Sequence, residues 1–116
     1  MKTYTKKVSE PWFSLIKLGK KKCEGRINKG DFAQMNQGDI IIFTNNELGF
    51  NRQFSVTVKY TKKYKTFREY LSNEKLKRCL PGIDNIEDGI NIYYKYFTKN
   101  DESNFGVCAV RVKIIK

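Results

Sequence analysis

Along residues 52–64, RQFSVTVKYTKKY, apolar and polar positions alternate. Phe54, Val56, Val58 and Tyr60 fall on one side, with Ser55, Thr57 and Lys59 on the other, the period of a half-buried strand. Three more stretches predict strands: TYTKKV at 3–8, the apolar run at 39–44 after the Gly38-Asp39 turn, and VCAVRVKII at 107–115. Residues 20–27 also read as extended, NKGDF as a turn, and NNELGFN as a hairpin connection.

Helical spacing takes over elsewhere. In PWFSLIKLG, Trp12, Leu15 and Ile16 share a face. Ser9 reads as the N-cap, Glu10 and Pro11 occupy the first turn, and Gly19 is the stop. TFREYLSNEKLKRCL opens with a capping box, Thr66 and Glu69. PGIDNIEDGINIYYKYF repeats it with Asp84 and Glu87, then places Ile86, Ile90, Tyr93, Tyr94 and Phe97 at helical spacing. TKNDESNFG reads as a polar loop. Strand, helix, several strands, helices, strand: the connections are too short for a doubly wound parallel sheet, so the expected class is α+β on a small, strongly bent sheet or barrel.

The chain has 116 residues, room for one core and hence one domain. With 40% hydrophobic and 14% aromatic residues it is not a disordered tail. Its net charge of +11 works against compaction and points to a polyanionic partner. RNA, DNA or an anionic membrane would each meet that description. The abundance of Lys, Asn and Ile also fits an A/T-rich genome, which discounts part of that argument.

No apolar run approaches the roughly 20 residues of a membrane span, and MKTYTKKVSE lacks the apolar stretch of a signal peptide. A cytoplasmic, monomeric protein without membrane contact is the expectation. Cys23, Cys79 and Cys108 are odd in number and widely spaced, as reduced thiols would be. Without histidine or a close cysteine pair, neither a metal nor any other cofactor is expected. Ser-His and Cys-His nucleophile pairs are excluded for the same reason.

The densest chemistry lies in GKKKCEGRINKGD, residues 19–31. On a strand Glu24 and Arg26 share a face, and Lys21 joins them only if it sits in the turn after Gly19. Two readings stand: a solvated strand with a weak surface ion pair, or a pocket. In a pocket, Arg26 offers a planar fork to a phosphate or base edge, Glu24 accepts from a base N–H, and Lys21 supplies a point charge. Trp12 is either core or a stacking face. Lys20 and Lys22 are phosphate-facing or simply exposed.

These residues resemble the signature of the ASCH family, a branch of the PUA-like superfamily: a Pro-Trp helix start, then Gly-x-Lys-x-x-Glu-x-Arg. Here they are Pro11, Trp12, Gly19, Lys21, Glu24 and Arg26. Gly38-Asp39, the two helical segments and the closing strand are similar to later parts of that family. The resemblance implies a β-barrel of about six strands with flanking helices, and a cleft lined by Lys21, Glu24 and Arg26 that takes RNA or a modified nucleotide. It also implies an alternative, a small hydrolase acting on N4-acetylcytidine or cleaving RNA. In that reading Lys21, Glu24 and Glu69 are the catalytic candidates, although Glu24 stands where those hydrolases carry a threonine nucleophile. Glu69 has a structural explanation as the partner of Thr66.

A second basic group, including Lys62, Lys63 and Arg68, is interleaved with Tyr60, Tyr64 and Phe67. Such mixing suits phosphate contact with base stacking, and equally describes a solvated face. The nucleic-acid-binding candidates are therefore Trp12, Lys20, Lys21, Lys22, Glu24, Arg26, Lys62, Lys63 and Arg68.

Overall fold

A computed structural model describes residues 1–116. The order is β1 (Thr3–Lys7), α1 (Trp12–Lys17), β2 (Cys23–Ile27), a 3-10 turn (Gly30–Gln34), β3 (Ile40–Asn45), β4 (Arg52–Tyr64), α2 (Phe67–Glu74), α3 (Leu76–Cys79), α4 (Ile86–Tyr94), α5 (Lys99–Phe105) and β5 (Val107–Ile114). The strands form one sheet in the order β1-β3-β4-β5-β2, with β1 parallel to β3 and every other pair antiparallel. The class is α+β, as expected. There are five strands where the resemblance implied about six.

The predicted alternation in β4 holds through Val56 and Val58, both fully buried. A register shift between Val58 and Tyr60 then sets Tyr60 opposite Arg111 while Val58 pairs with Val112. Paired residues share a face and neighbours along a strand do not, so Tyr60 crosses to the other side of the sheet. There the hydroxyls of Tyr60 and Tyr64 both donate to Glu74 of α2. Phe67 is fully buried and stacks on Tyr93 at 4.6 Å. These three aromatics are core and hydrogen-bond anchors, not a platform for bases.

The helix ends also differ in detail. Gly19 stops α1 as expected, with φ +76°. At the other end Ser9 is not the side-chain cap: its hydroxyl meets that of Tyr96 at 2.9 Å, while Glu10 accepts from Ser14 N at 2.9 Å. The predicted helix at 66–80 breaks at Lys75, whose φ of +79° no α-helix can continue through. In α4 the cap is Asn85, accepting from Asp88 N at 2.9 Å, one residue beyond the predicted Asp84 and Glu87. The polar loop at 98–106 contains α5, capped by Thr98 through Asp101 N at 3.0 Å. Glu102 anchors α5 by accepting from Phe67 N at 2.7 Å and from the Tyr94 hydroxyl at 2.6 Å.

Asp39 carries the Gly-Asp turn. Its carboxylate accepts from Lys2 N and Asn36 N, both at 2.9 Å. Those two backbone donors hold its pKa below the ordinary value, Lys2 contributing most. No helix is long and apolar enough to cross a membrane.

Candidate functional site

The loop after Gly19 decides where Lys21 goes. Lys20 N and Lys21 N both donate to Leu15 O, at 2.9 and 3.0 Å, wrapping the chain over the end of α1. The Lys21 side chain therefore enters the protein and is 2% exposed. Its ammonium donates to Cys23 O at 2.7 Å and to Cys79 O, and lies 3.3 Å from Glu24 Oε1. Two of its three protons go to those carbonyls, and the Glu24 carboxylate balances its charge. Lys21 is thus a buried tie between the α1–β2 turn, β2 and α3, its charge already paired with Glu24. This corrects its expected role as a point charge offered to a phosphate.

Glu24 and Arg26 share a face of β2, as strand spacing requires. Arg26 Nε lies 2.9 Å from Glu24 Oε2, and Nη2 reaches the same oxygen at 2.8 Å. Nη2 also donates to Lys7 O at 2.9 Å, and the guanidinium stacks over Phe32 at 4.8 Å. Nη1 remains without a protein partner. Glu24 is 5% exposed. Burial pushes its carboxyl up, but the charges of Arg26 and Lys21 and their hydrogen bonds outweigh it, leaving the pKa below the ordinary glutamate value. The carboxylate is therefore ionised at neutral pH, and a weak general base.

These groups form the floor of a cleft of about 350 Å³, within the size range of small-molecule sites. Trp12, Tyr93, Tyr96 and Phe97 supply aromatic walls, and Lys7, Val8 and Ser9 come from the end of β1. Trp12 is 8% exposed, so it belongs to the core yet also lines the cleft, with Lys21 Nζ 5.8 Å from its ring centre. Tyr96, 55% exposed, is the open wall. Spacing alone did not single out Tyr96 or the cleft-facing role of Phe97, since the α4 aromatics read simply as core. An aromatic out of phase with that helical stripe was the available signal.

The remaining candidates lie elsewhere. Lys20 and Lys22 are exposed and do not line this cleft. Lys62 sits over the Tyr60 ring at 5.1 Å, Lys63 donates to Asn28 Oδ1 at 2.8 Å, and Arg68 pairs with Glu87. Glu69 is exposed on α2, where it accepts from Lys65 N at 3.1 Å while Thr66 Oγ1 accepts from Glu69 N at 3.1 Å. That is the capping role expected of it, and the fold does not bring it to Lys21 and Glu24.

No curated protein matches the chain. Among solved structures, it is similar to the crystal structure of hypothetical protein PH0355 at 34% identity and a TM-score of 0.88, covering 97% of this chain and 99% of that one. It is also similar to the solution NMR structure of protein PF0455 from Pyrococcus furiosus, at 35% identity and a TM-score of 0.78, covering 98% of each. The ASCH domain model matches residues 7–115, which include every residue of the cleft floor. This chain belongs to the ASCH domain family.

Proposed function

We propose that this protein binds single-stranded RNA by taking one base, ordinary or modified, into the cleft above Glu24 and Arg26. The observation that carries this reading is a buried carboxylate ion-paired with two cations at the floor of an aromatic-walled hollow. Glu24 Oε1, engaged only by Lys21, has a lone pair to accept an exocyclic amine or ring N–H. Arg26 Nη1 offers two donors to a base edge or a phosphate. Tyr96 supplies an exposed ring for stacking, and Trp12 adds an apolar wall. The +11 charge favours a phosphate-bearing ligand over a neutral nucleoside.

A catalytic use of the cleft has less support. Glu24 is too well neutralised to serve as a strong base, and the Lys21 ammonium is buried and already held by two carbonyls and Glu24.

The test is fluorescence titration of a short single-stranded RNA across a salt series. Affinity should fall steeply with salt, Arg26→Ala should weaken it at least about tenfold, and Arg26→Lys should not restore it, because lysine lacks the fork. Thermal unfolding of both variants separates lost binding from lost fold. Salt-insensitive binding, or full affinity in a folded Arg26→Ala protein, overturns the proposal.

A further inference from the structure

Beside the Glu24–Arg26 cleft, a seam cleft between the edge strands β1 and β2, lies a second hollow of about 300 Å³, which Lys21 also lines. Four cations surround it, Lys22, Lys59, Arg111 and Lys113, and no carboxylate does. Of the residues lining the hollow only Lys21 has an ion-pair partner, Glu24; the other basic residues in ion pairs, Lys6, Arg26, Lys29, Arg52 and Arg68, are elsewhere. The four around this hollow are thus left with mutual repulsion and no counter-charge.

Their placement is built into regular structure. Lys59 is the extra residue at the register shift between Val58 and Tyr60, where a bulge re-aims side chains. Arg111 and Lys113 are two apart on β5 and so share a face. Lys22 is held on both sides of its peptide, its N–H bonded to Arg78 O at 2.8 Å and its carbonyl to Val112 N at 3.0 Å. The two hollows are neighbours: Trp12 lines one and Ile16 the other. Four residues of α1 separate those side chains by about 6 Å along the helix axis.

We propose that this hollow is a phosphate site for the same RNA chain whose base enters the seam cleft. The ligand is then an oligonucleotide that passes over the Gly19–Lys22 turn, not a free nucleoside. The inference rests on the RNA reading above and adds the chain's path to it.

The experiment compares wild type, Arg26→Ala and the double variant Lys59→Ala/Lys113→Ala, whose two lysines are exposed and outside the seam cleft. Each is titrated with a short single-stranded oligoribonucleotide over a salt series, with the unphosphorylated mononucleoside and with inorganic tripolyphosphate. Loss of two phosphate contacts should make the slope of log affinity against log salt shallower by about 1.4, and weaken low-salt binding about tenfold. Mononucleoside binding should be unchanged. A double variant with wild-type slope and affinity, beside a weakened Arg26→Ala protein, overturns the phosphate site and leaves the base cleft standing. If wild type binds no RNA, or Arg26→Ala binds it fully, the RNA reading fails and this inference with it. Tripolyphosphate binding as tight as RNA, and lost in the double variant, makes the hollow a free-polyphosphate site and overturns the shared path.

Discussion

Arg26 donates to the backbone carbonyl of Lys7 at 2.9 Å, and so joins the two edge strands, which the sheet leaves unpaired with each other. With the order β1-β3-β4-β5-β2, Lys7 ends one edge strand and Arg26 lies in the other. The side chain bridges an open seam, and the cleft is that seam. Its floor consists of β2 residues, one wall begins at the end of β1, and α1 and α4 flank it.

The Lys21 tie predicts a large stability effect. Lys21→Met keeps most of the aliphatic volume but leaves two buried carbonyls and one side of Glu24 without a donor. Removing one partner of a buried pair costs about 3–5 kcal/mol. Denaturant unfolding of the variant should show a loss of that order. Wild-type stability in Lys21→Met means the tie is not structural.

Gly25 predicts a steric effect. A Cβ at this position would meet the Tyr70 ring at 2.5 Å. The ring cannot yield, because Tyr70 is fully buried and its hydroxyl is 3.0 Å from that of Tyr93. Gly25→Ala should therefore lose about 1–3 kcal/mol to overpacking, despite alanine's better strand entropy. Adding Tyr70→Leu should recover part of it in a double-mutant cycle. Additive losses would show that the ring is not the obstacle.

The acid limb of stability should carry the signature of Glu24. Its folded pKa is depressed, so its contribution is complete above the ordinary glutamate value, about 4.3, and is lost as pH falls through the lower folded value. Melting temperatures of wild type and Glu24→Gln, followed from neutral pH to about pH 2, should differ most at neutral pH and converge below about pH 4. A gap that stays constant over that range contradicts the ion-pair account.

Tyrosine ionisation should be delayed. Burial and the Glu74 carboxylate raise Tyr60 to about 12, and the Glu102 carboxylate with burial raises Tyr94 to about 12. Tyr64, Tyr70 and Tyr93 are raised as well, burial being the largest cause in each. These five of the chain's seven tyrosines should remain protonated at pH 10, where an unfolded tyrosine is half ionised. Groups with raised folded pKa stabilise below the unfolded value, so stability should decline from about pH 10 to 12. Tyrosinate absorbance recorded alongside circular dichroism checks this; most tyrosines ionising near pH 10 in a still-folded protein would contradict it.

Neighbouring residues made much of the fold legible. Gly19 marks the end of α1 because only a residue comfortable at positive φ turns the chain there. Thr66 and Glu69 mark the start of α2 because both halves of the capping box lie within four residues. Local signals failed where two candidates stood side by side, as at Asp84 and Asn85, or where stability came from afar. Helix α5 has little apolar face of its own, and Glu102 holds it through bonds to α2 and α4.

The amino-acid sequence by itself determined the class of fold, the turn at Gly19 and the common face of Glu24 and Arg26, since each follows from backbone geometry over a few residues. Only the tertiary structure decided that Lys21 is consumed by Cys23 O, Cys79 O and Glu24, and that Lys59, Arg111, Lys113 and Lys22 gather without an acid. Only there, too, do β1 and β2 meet at an open seam. Those outcomes depend on which distant carbonyls and charges the folded chain brings within a few ångströms, and local spacing carries no record of that.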